Sequence, residues 1–259
     1  MKLAITGKGG VGKTTLSSLL ARVYAQEGRT VLAIDADPDA NLASALGFSP
    51  EEFSQIIPVS EMAELIEERT GAKPGTTGGF FKINPRVDDI PDRFSASRDG
   101  VKLLIMGGVK KGGGGCICPE SVLLRSLVTH LILYRKDVVI MDMEAGIEHL
   151  GRATAQSVDA FIVVVEPGQR SFQTARSIRT LAGEIGIERC FVVGSKVRGE
   201  DDRKLIADSL PDFTMLGFLS FSPLVQRADM LGQSVYDIDP GAAQEAREIV
   251  ARLENTDGG

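Results

Sequence analysis

Apolar and polar positions along this chain alternate between two kinds of pattern. Short, uninterrupted apolar runs recur at residues 3–6, 30–35 (TVLAID), 101–106 (VKLLIM), 137–142 (DVVIMD), 160–165 (AFIVVV), 190–194 (CFVVG) and 215–219. Runs this continuous suit strands buried on both faces. Between them lie stretches with helical spacing, strongest over 13–26, 119–134 and 171–186 and weaker over 51–69, 201–210, 223–231 and 242–253. Strands alternating with helices predict βαβ units and an α/β fold with a mostly parallel central sheet. Right-handed crossovers place helices on both of its faces. Residues 71–99 break the rhythm with Pro74, Gly75, Gly78, Gly79, Pro85 and Pro91. They read as an irregular insertion in a single domain spanning 1–259, either a partner surface or a mobile flap.

Composition narrows the class. The chain is 43% hydrophobic but lacks tryptophan and is 5% aromatic, so aliphatic side chains must fill the core. A net charge of −6 opposes a broad nucleic-acid footprint. No apolar run reaches the ~18 residues of a membrane span, and the C-terminal helical run mixes acids with bases, unlike a basic membrane-surface helix. Three cysteines do not make a secreted disulfide framework, and Met1 stands too close to the first strand for a signal peptide. The expectation is a cytoplasmic protein acting on neither nucleic acid nor membrane.

The chemistry begins with Gly7-Lys8-Gly9-Gly10-Val11-Gly12-Lys13-Thr14-Thr15. This G-x-x-x-x-G-K-[ST] segment follows a strand and opens a helix, the setting in which such a loop cradles phosphates. Glycines let successive N–H groups turn inward, and the helix N-terminus adds its positive end. Lys13 is expected to reach the β- and γ-phosphates and Thr14 to ligate Mg²⁺. Lys8 is redundant for the same phosphates, which suits a lysine directed at another subunit's nucleotide. Asp35 and Asp37 follow the second strand, where ligands of open α/β sheets bind. An apolar strand ending in Asp142 has the Walker B pattern of a Mg²⁺ site, and Glu144 and Gly146 follow it as a switch II segment that senses the γ-phosphate. Ser195-Lys196, with Ser222 and Pro223 opposite, are the candidate base contacts. No N-K-x-D guanine motif follows, which favours ATP over GTP.

The loop with its second lysine resembles the deviant Walker A motif of the P-loop NTPases of the SIMIBI/MinD-like class, which includes the MinD and ParA types, the nitrogenase iron protein and metal-insertion ATPases. That resemblance implies a homodimer closing over two ATP molecules, with Lys8 acting in trans. It also implies that Asp37 orients the attacking water and Asp35 supports metal and loop. Family members often carry Asn-Lys where this chain has Ser195-Lys196, so the usual asparagine contact to adenine is missing.

The second informative segment is Gly112-Gly113-Gly114-Gly115-Cys116-Ile117-Cys118-Pro119-Glu120. In extended chain, residues i and i+2 face one side, so both thiols face one point. Two thiolates are half of a tetrahedral S₄ set, and a two-fold dimer presents the patch twice. One Ni²⁺ or Zn²⁺ shared between two chains through Cys116 and Cys118 is one reading; buried small hydrophobes or a redox pair are the others. Together with DMEAGIEHLGR and EPGQRS, the segment resembles the CooC-type nickel-insertion ATPases of carbon monoxide dehydrogenase maturation. That implies an ATP-hydrolysing metallochaperone delivering nickel to carbon monoxide dehydrogenase or a related acetyl-CoA synthase. The alternative is an ATP-driven electron-transfer protein like the nitrogenase iron protein, with a dimer-bridging [4Fe–4S] cluster. Cys190 reads as a core thiol; His130 and His149 read as packing or surface residues.

Overall fold

The computed structural model describes residues 1–76, 80–108, 118–144 and 157–256. The elements run β1 (Lys2–Thr6), α1 (Lys13–Gln26), β2 (Val31–Asp35), α2 (Leu42–Ala45), α3 (Pro50–Phe53), α4 (Ala63–Thr70), α5 (Ile90–Phe94), β3 (Ala96–Arg98), β4 (Val101–Ile105), α6 (Pro119–Tyr134), β5 (Val138–Asp142), β6 (Ala160–Val165), α7 (Gln169–Glu184), β7 (Cys190–Val197), α8 (Glu200–Ser209), β8 (Thr214–Ser220), α9 (Pro223–Leu231), α10 (Val235–Ile238) and α11 (Pro240–Asn255). The eight strands form one sheet in the order β3-β4-β2-β5-β1-β6-β7-β8. Every pairing is parallel except β3 with β4. The chain leaves β1 for the β2 side and later returns to β6, β7 and β8 on the other. The topology therefore switches direction beside β1, where a crevice opens at the carboxyl ends of the strands.

The apolar runs are uninterrupted because alternate residues feed two separate cores. Along β6, Phe161, Val163 and Val165 enter the core shared with α4, α6, α7 and α8. Ala160, Ile162 and Val164 enter the core shared with α1 and α11. α1 buries Leu16, Leu19, Leu20, Val23 and Tyr24 in that second core. Its Arg22 is buried too, and pairs with Asp99 at 2.8 Å and Asp237 at 2.9 Å, tying the phosphate-loop helix to the β3–β4 turn and to α10.

Two expectations change. Residues 51–69 are not one helix: α3 stops early, Val59–Glu61 forms a single 3₁₀ turn, and α4 starts afresh. Pro58 lies between them; it lacks an N–H and bars Ile57 from helical backbone. Ser49 and Glu52 close a capping box on α3, with Ser49 Oγ accepting from Glu52 N at 3.2 Å and Glu52 Oε2 from Ser49 N at 2.7 Å. The 71–99 stretch is more ordered than its composition suggests, since it contains α5 and the antiparallel edge strand β3.

Phe161 is wholly buried between sheet and helices. Phe161→Ala is expected to lower unfolding free energy by about 3–5 kcal/mol, read as a reduced urea midpoint with an unchanged m-value.

Candidate functional site

The site is built where β1, β2, β5, β6 and β7 end. Gly7 leaves β1 with φ 149° and presses against β6; a Cβ there would meet the Val164 carbonyl oxygen at 2.4 Å. Gly12 holds φ 102° just before α1, and a Cβ there would meet Ser195 Oγ at 2.8 Å. Both positions need glycine, one for close approach and both for backbone that other residues rarely adopt. Between them, Gly9 and Gly10 are exposed, while Val11 is buried and anchors the loop in the core. Lys13, the first residue of α1, is buried, and Thr14 and Thr15 are half-buried at the same helix end.

Two carboxylates sit beneath this loop. Asp35 and Asp142 are the last residues of neighbouring strands and lie in register. Asp35 is fully buried; its Oδ2 accepts from Leu42 N at 2.9 Å and its Oδ1 from Asp37 N at 3.2 Å, so it shapes the segment that carries Asp37. Burial pushes its pKa up to about 7; the Leu42 and Asp37 N–H groups oppose that rise and the Asp142 charge adds to it. Asp142 is also raised by burial, to about 6, with the Thr14 and Ser17 hydroxyls and the Lys13 ammonium drawing it back down. Those hydroxyls lie beside the carboxylate, yet neither Asp142 oxygen has a partner of proper hydrogen-bond geometry; Ser17 Oγ instead donates to the Lys13 carbonyl at 2.9 Å. A buried carboxylate with both oxygens unsatisfied is costly unless a cation completes it. With the Thr14 hydroxyl beside it, the oxygen donor set suits Mg²⁺.

Asp37 is half-buried and closes its own turn, its Oδ1 accepting from Asp39 N at 3.0 Å. Thr6 Oγ1 donates to the Glu144 carbonyl at 2.8 Å and pins the exposed Glu144 segment to the end of β1. Gly146, Cys116 and His149 lie outside the described residues. Cys118 is buried at the N-cap of α6, where its N–H donates to Ser121 Oγ at 3.2 Å. Among the described residues there is no group of three or more His, Cys, Asp or Glu that could hold a metal ion. Cys190 is partly buried against the core, and desolvation raises its thiol pKa to about 11. His130 packs beside Tyr134 on α6, with ring centroids 5.6 Å apart.

Among the predicted base contacts, Ser195 is buried with its hydroxyl against Gly12, while Lys196 is exposed and sits at φ 57°. The Lys196 ammonium donates to the Gly10 carbonyl and pairs with Glu166 at 3.2 Å. Ser222 caps α9, its Oγ accepting from Leu224 N at 3.2 Å, and Pro223 follows as the first helical residue. A cavity of about 480 Å³ lined by Val197, Arg198, Glu200, Arg203 and Phe221 opens beside these two strand ends. Glu166, directly after β6, is the residue that sequence reasoning missed. It also pairs with Lys8, at 3.6 Å.

The chain matches the CobQ/CobB/MinD/ParA nucleotide binding domain family over residues 2–235. It is 48% identical over 253 residues to the carbon monoxide dehydrogenase accessory protein CooC of Rhodospirillum rubrum, covering 98% of this chain and 96% of that protein. It is 45% identical over 262 residues to an uncharacterized ATP-binding protein of Methanocaldococcus jannaschii, covering 99% and 100%. Among solved structures, the MinD cell division protein of Aquifex aeolicus superposes with a TM-score of 0.69, covering 98% of both chains at 19% identity. That last likeness is one of fold.

The two raised carboxylates set a pH dependence. Their folded pKa values of about 7 and about 6 exceed the ordinary 3.8. Their contribution to stability is therefore present in full below about pH 4 and is lost as pH rises through 6 and 7. The nucleotide-free protein is expected to lose thermal stability across that window. Asp142→Asn should flatten the loss, measured by melting at a series of pH values.

Proposed function

The chain belongs to the CobQ/CobB/MinD/ParA family of P-loop ATPases, and from that membership we propose that it is a metallochaperone driven by ATP hydrolysis. It dimerises with nucleotide and metal and delivers nickel to the active-site cluster of carbon monoxide dehydrogenase or a related acetyl-CoA synthase. The observation that carries this reading is similarity at 48% identity, along nearly the whole of both chains, to a carbon monoxide dehydrogenase accessory protein. The Cys116-Ile117-Cys118 segment supports it by supplying soft thiolates suited to Ni²⁺ or Zn²⁺.

Lys13 would hold the ATP phosphates, Thr14 and Asp142 would hold Mg²⁺, and the segment over Gly9–Thr15 would supply backbone N–H groups. Bound there, Mg²⁺ would supply positive charge to offset the negative charge of the phosphates. Phosphoryl transfer needs positioning and charge stabilisation more than a strong base. Asp37, half-buried in the segment after β2, holds water in line with the γ-phosphorus. Asp35 keeps the Asp37 segment in place through its two backbone hydrogen bonds. Lys8 acts in trans on the nucleotide of a second copy, so hydrolysis is confined to the dimer. Gly146 and Glu144 report loss of the γ-phosphate. Ser195, Lys196, Ser222 and Pro223 border the base. Cys116 and Cys118 from each chain complete one four-thiolate site on the two-fold axis.

Lys8→Ala is expected to abolish the ATP-driven dimer; an unchanged dimer fraction by light scattering rejects the trans role. Cys116→Ser and Cys118→Ser are each expected to lose about one Ni²⁺ or Zn²⁺ per dimer while still binding nucleotide. Full metal retention by both variants rejects the bridging site. A brown preparation with visible iron–sulfur absorption would favour electron transfer instead.

A further inference from the structure

Three elements remote in sequence meet at one carboxylate. Glu166 follows β6, Lys8 stands in the phosphate loop, and Lys196 lies in the irregular stretch of β7 between Gly194 and Val197. Glu166 Oε1 lies 3.6 Å from the Lys8 ammonium and Oε2 lies 3.2 Å from the Lys196 ammonium. The two lysines therefore use opposite oxygens of one side chain. Lys196 also donates to the Gly10 carbonyl, and its backbone occupies the left-handed region at φ 57°. A non-glycine residue held there needs surrounding contacts to keep it. The Glu166 backbone is itself anchored, its N–H donating to the buried Ser171 Oγ at 3.1 Å.

We propose that Glu166 is a positioning residue that holds Lys8 within its own subunit and releases it when the nucleotide-loaded dimer forms. This rests on the trans role of Lys8 given above. A lysine that must reach across a subunit boundary is flexible and exposed; without a partner it samples many rotamers. Glu166 gives it a defined resting place over the loop it belongs to. The two-lysine arrangement makes release easy. When Lys8 leaves, the carboxylate still faces Lys196, so no charge is stranded. The group is also only partly buried: Glu166 is 27% exposed and Lys8 38%. Exposed ion pairs are weak, which suits a contact that must exchange rather than one that holds the fold together. Lys196, kept over the Gly10 carbonyl by the same carboxylate, couples that exchange to the base side of the site.

The test compares wild type with Glu166→Gln and Glu166→Asp. Two readouts are needed. The first is the rate of Lys8 acylation in nucleotide-free protein, followed by mass spectrometry. The second is the ATP concentration that half-populates the dimer in light scattering. The expected result is faster Lys8 labelling in Glu166→Gln and a dimer midpoint lowered about two- to fivefold. Glu166→Asp, which keeps the charge, should fall between. The midpoint difference should close in about 1 M salt, where screening reaches ~3 Å. Unchanged labelling overturns the resting contact. Faster labelling with an unchanged or raised midpoint overturns its control of dimerisation. Lys8→Ala separates the two levels of argument. If that variant still dimerises with ATP, the trans role fails and the latch fails with it. If it does not dimerise and Glu166→Gln behaves as wild type, only the latch fails.

Discussion

The carboxyl edge of the sheet is organised around negative charge placed where water cannot reach it. Asp35 and Asp142 end adjacent strands in register, both buried, and Asp142 has no hydrogen-bond partner for either oxygen. Unassisted, such a pair takes up protons, and the raised pKa values record that tendency. A divalent cation held by Asp142 and Thr14 would remove the difficulty. In the proposed function the local stability given up by burying two acids would become affinity for metal and nucleotide, a trade that recurs at functional sites.

Around that centre the cations are arranged by reach. Lys13 is buried at the start of α1, and in the proposed mechanism it serves the phosphates of its own subunit. Lys8 and Lys196 are exposed enough to move and converge on Glu166. The loop between them is held rigidly at its ends, through Gly7 against β6 and Gly12 against Ser195, and is exposed in its middle. A stiff cradle flanked by partly exposed ammonium groups fits the proposed site shared between two subunits. α6 begins at Pro119, directly after Cys118, packs into the core on the face away from α1, and precedes β5, which ends in Asp142. The proposed metal-binding and hydrolytic centres are therefore separated by one helix and one strand.

Much of this was legible in the sequence, for identifiable reasons. The parallel strands announced themselves because burial on two faces leaves no polar positions, as in the AFIVVV of β6. The phosphate loop was legible because its glycine pattern marks it, and at Gly7 and Gly12 glycine is demanded by close approach and positive φ. β3 was not legible: Ala96–Arg98 has three residues and no apolar pattern, and it exists only by pairing with β4. The break at Pro58 within 51–69 was present in the sequence but outweighed by the helical spacing around it. Glu166 was hidden for a different reason. A single acid after a strand carries no local signature, and its partners at positions 8 and 196 become neighbours only through the strand order β1-β6-β7. Ser195 follows the apolar run 190–194 but lies within β7, which continues to Val197, and its burial against Gly12 depends on the packing of that strand against the phosphate loop.

The account comes to rest on a molecule that changes its number of chains when it is loaded. The direct measurement is the solution mass of the wild-type protein across a titration with Ni²⁺ or Zn²⁺, with and without ATP and Mg²⁺. The account predicts a single chain when empty and a pair when loaded, carrying one thiolate-bound Ni²⁺ or Zn²⁺ and two nucleotides. A mass that stays at one chain through every addition contradicts it.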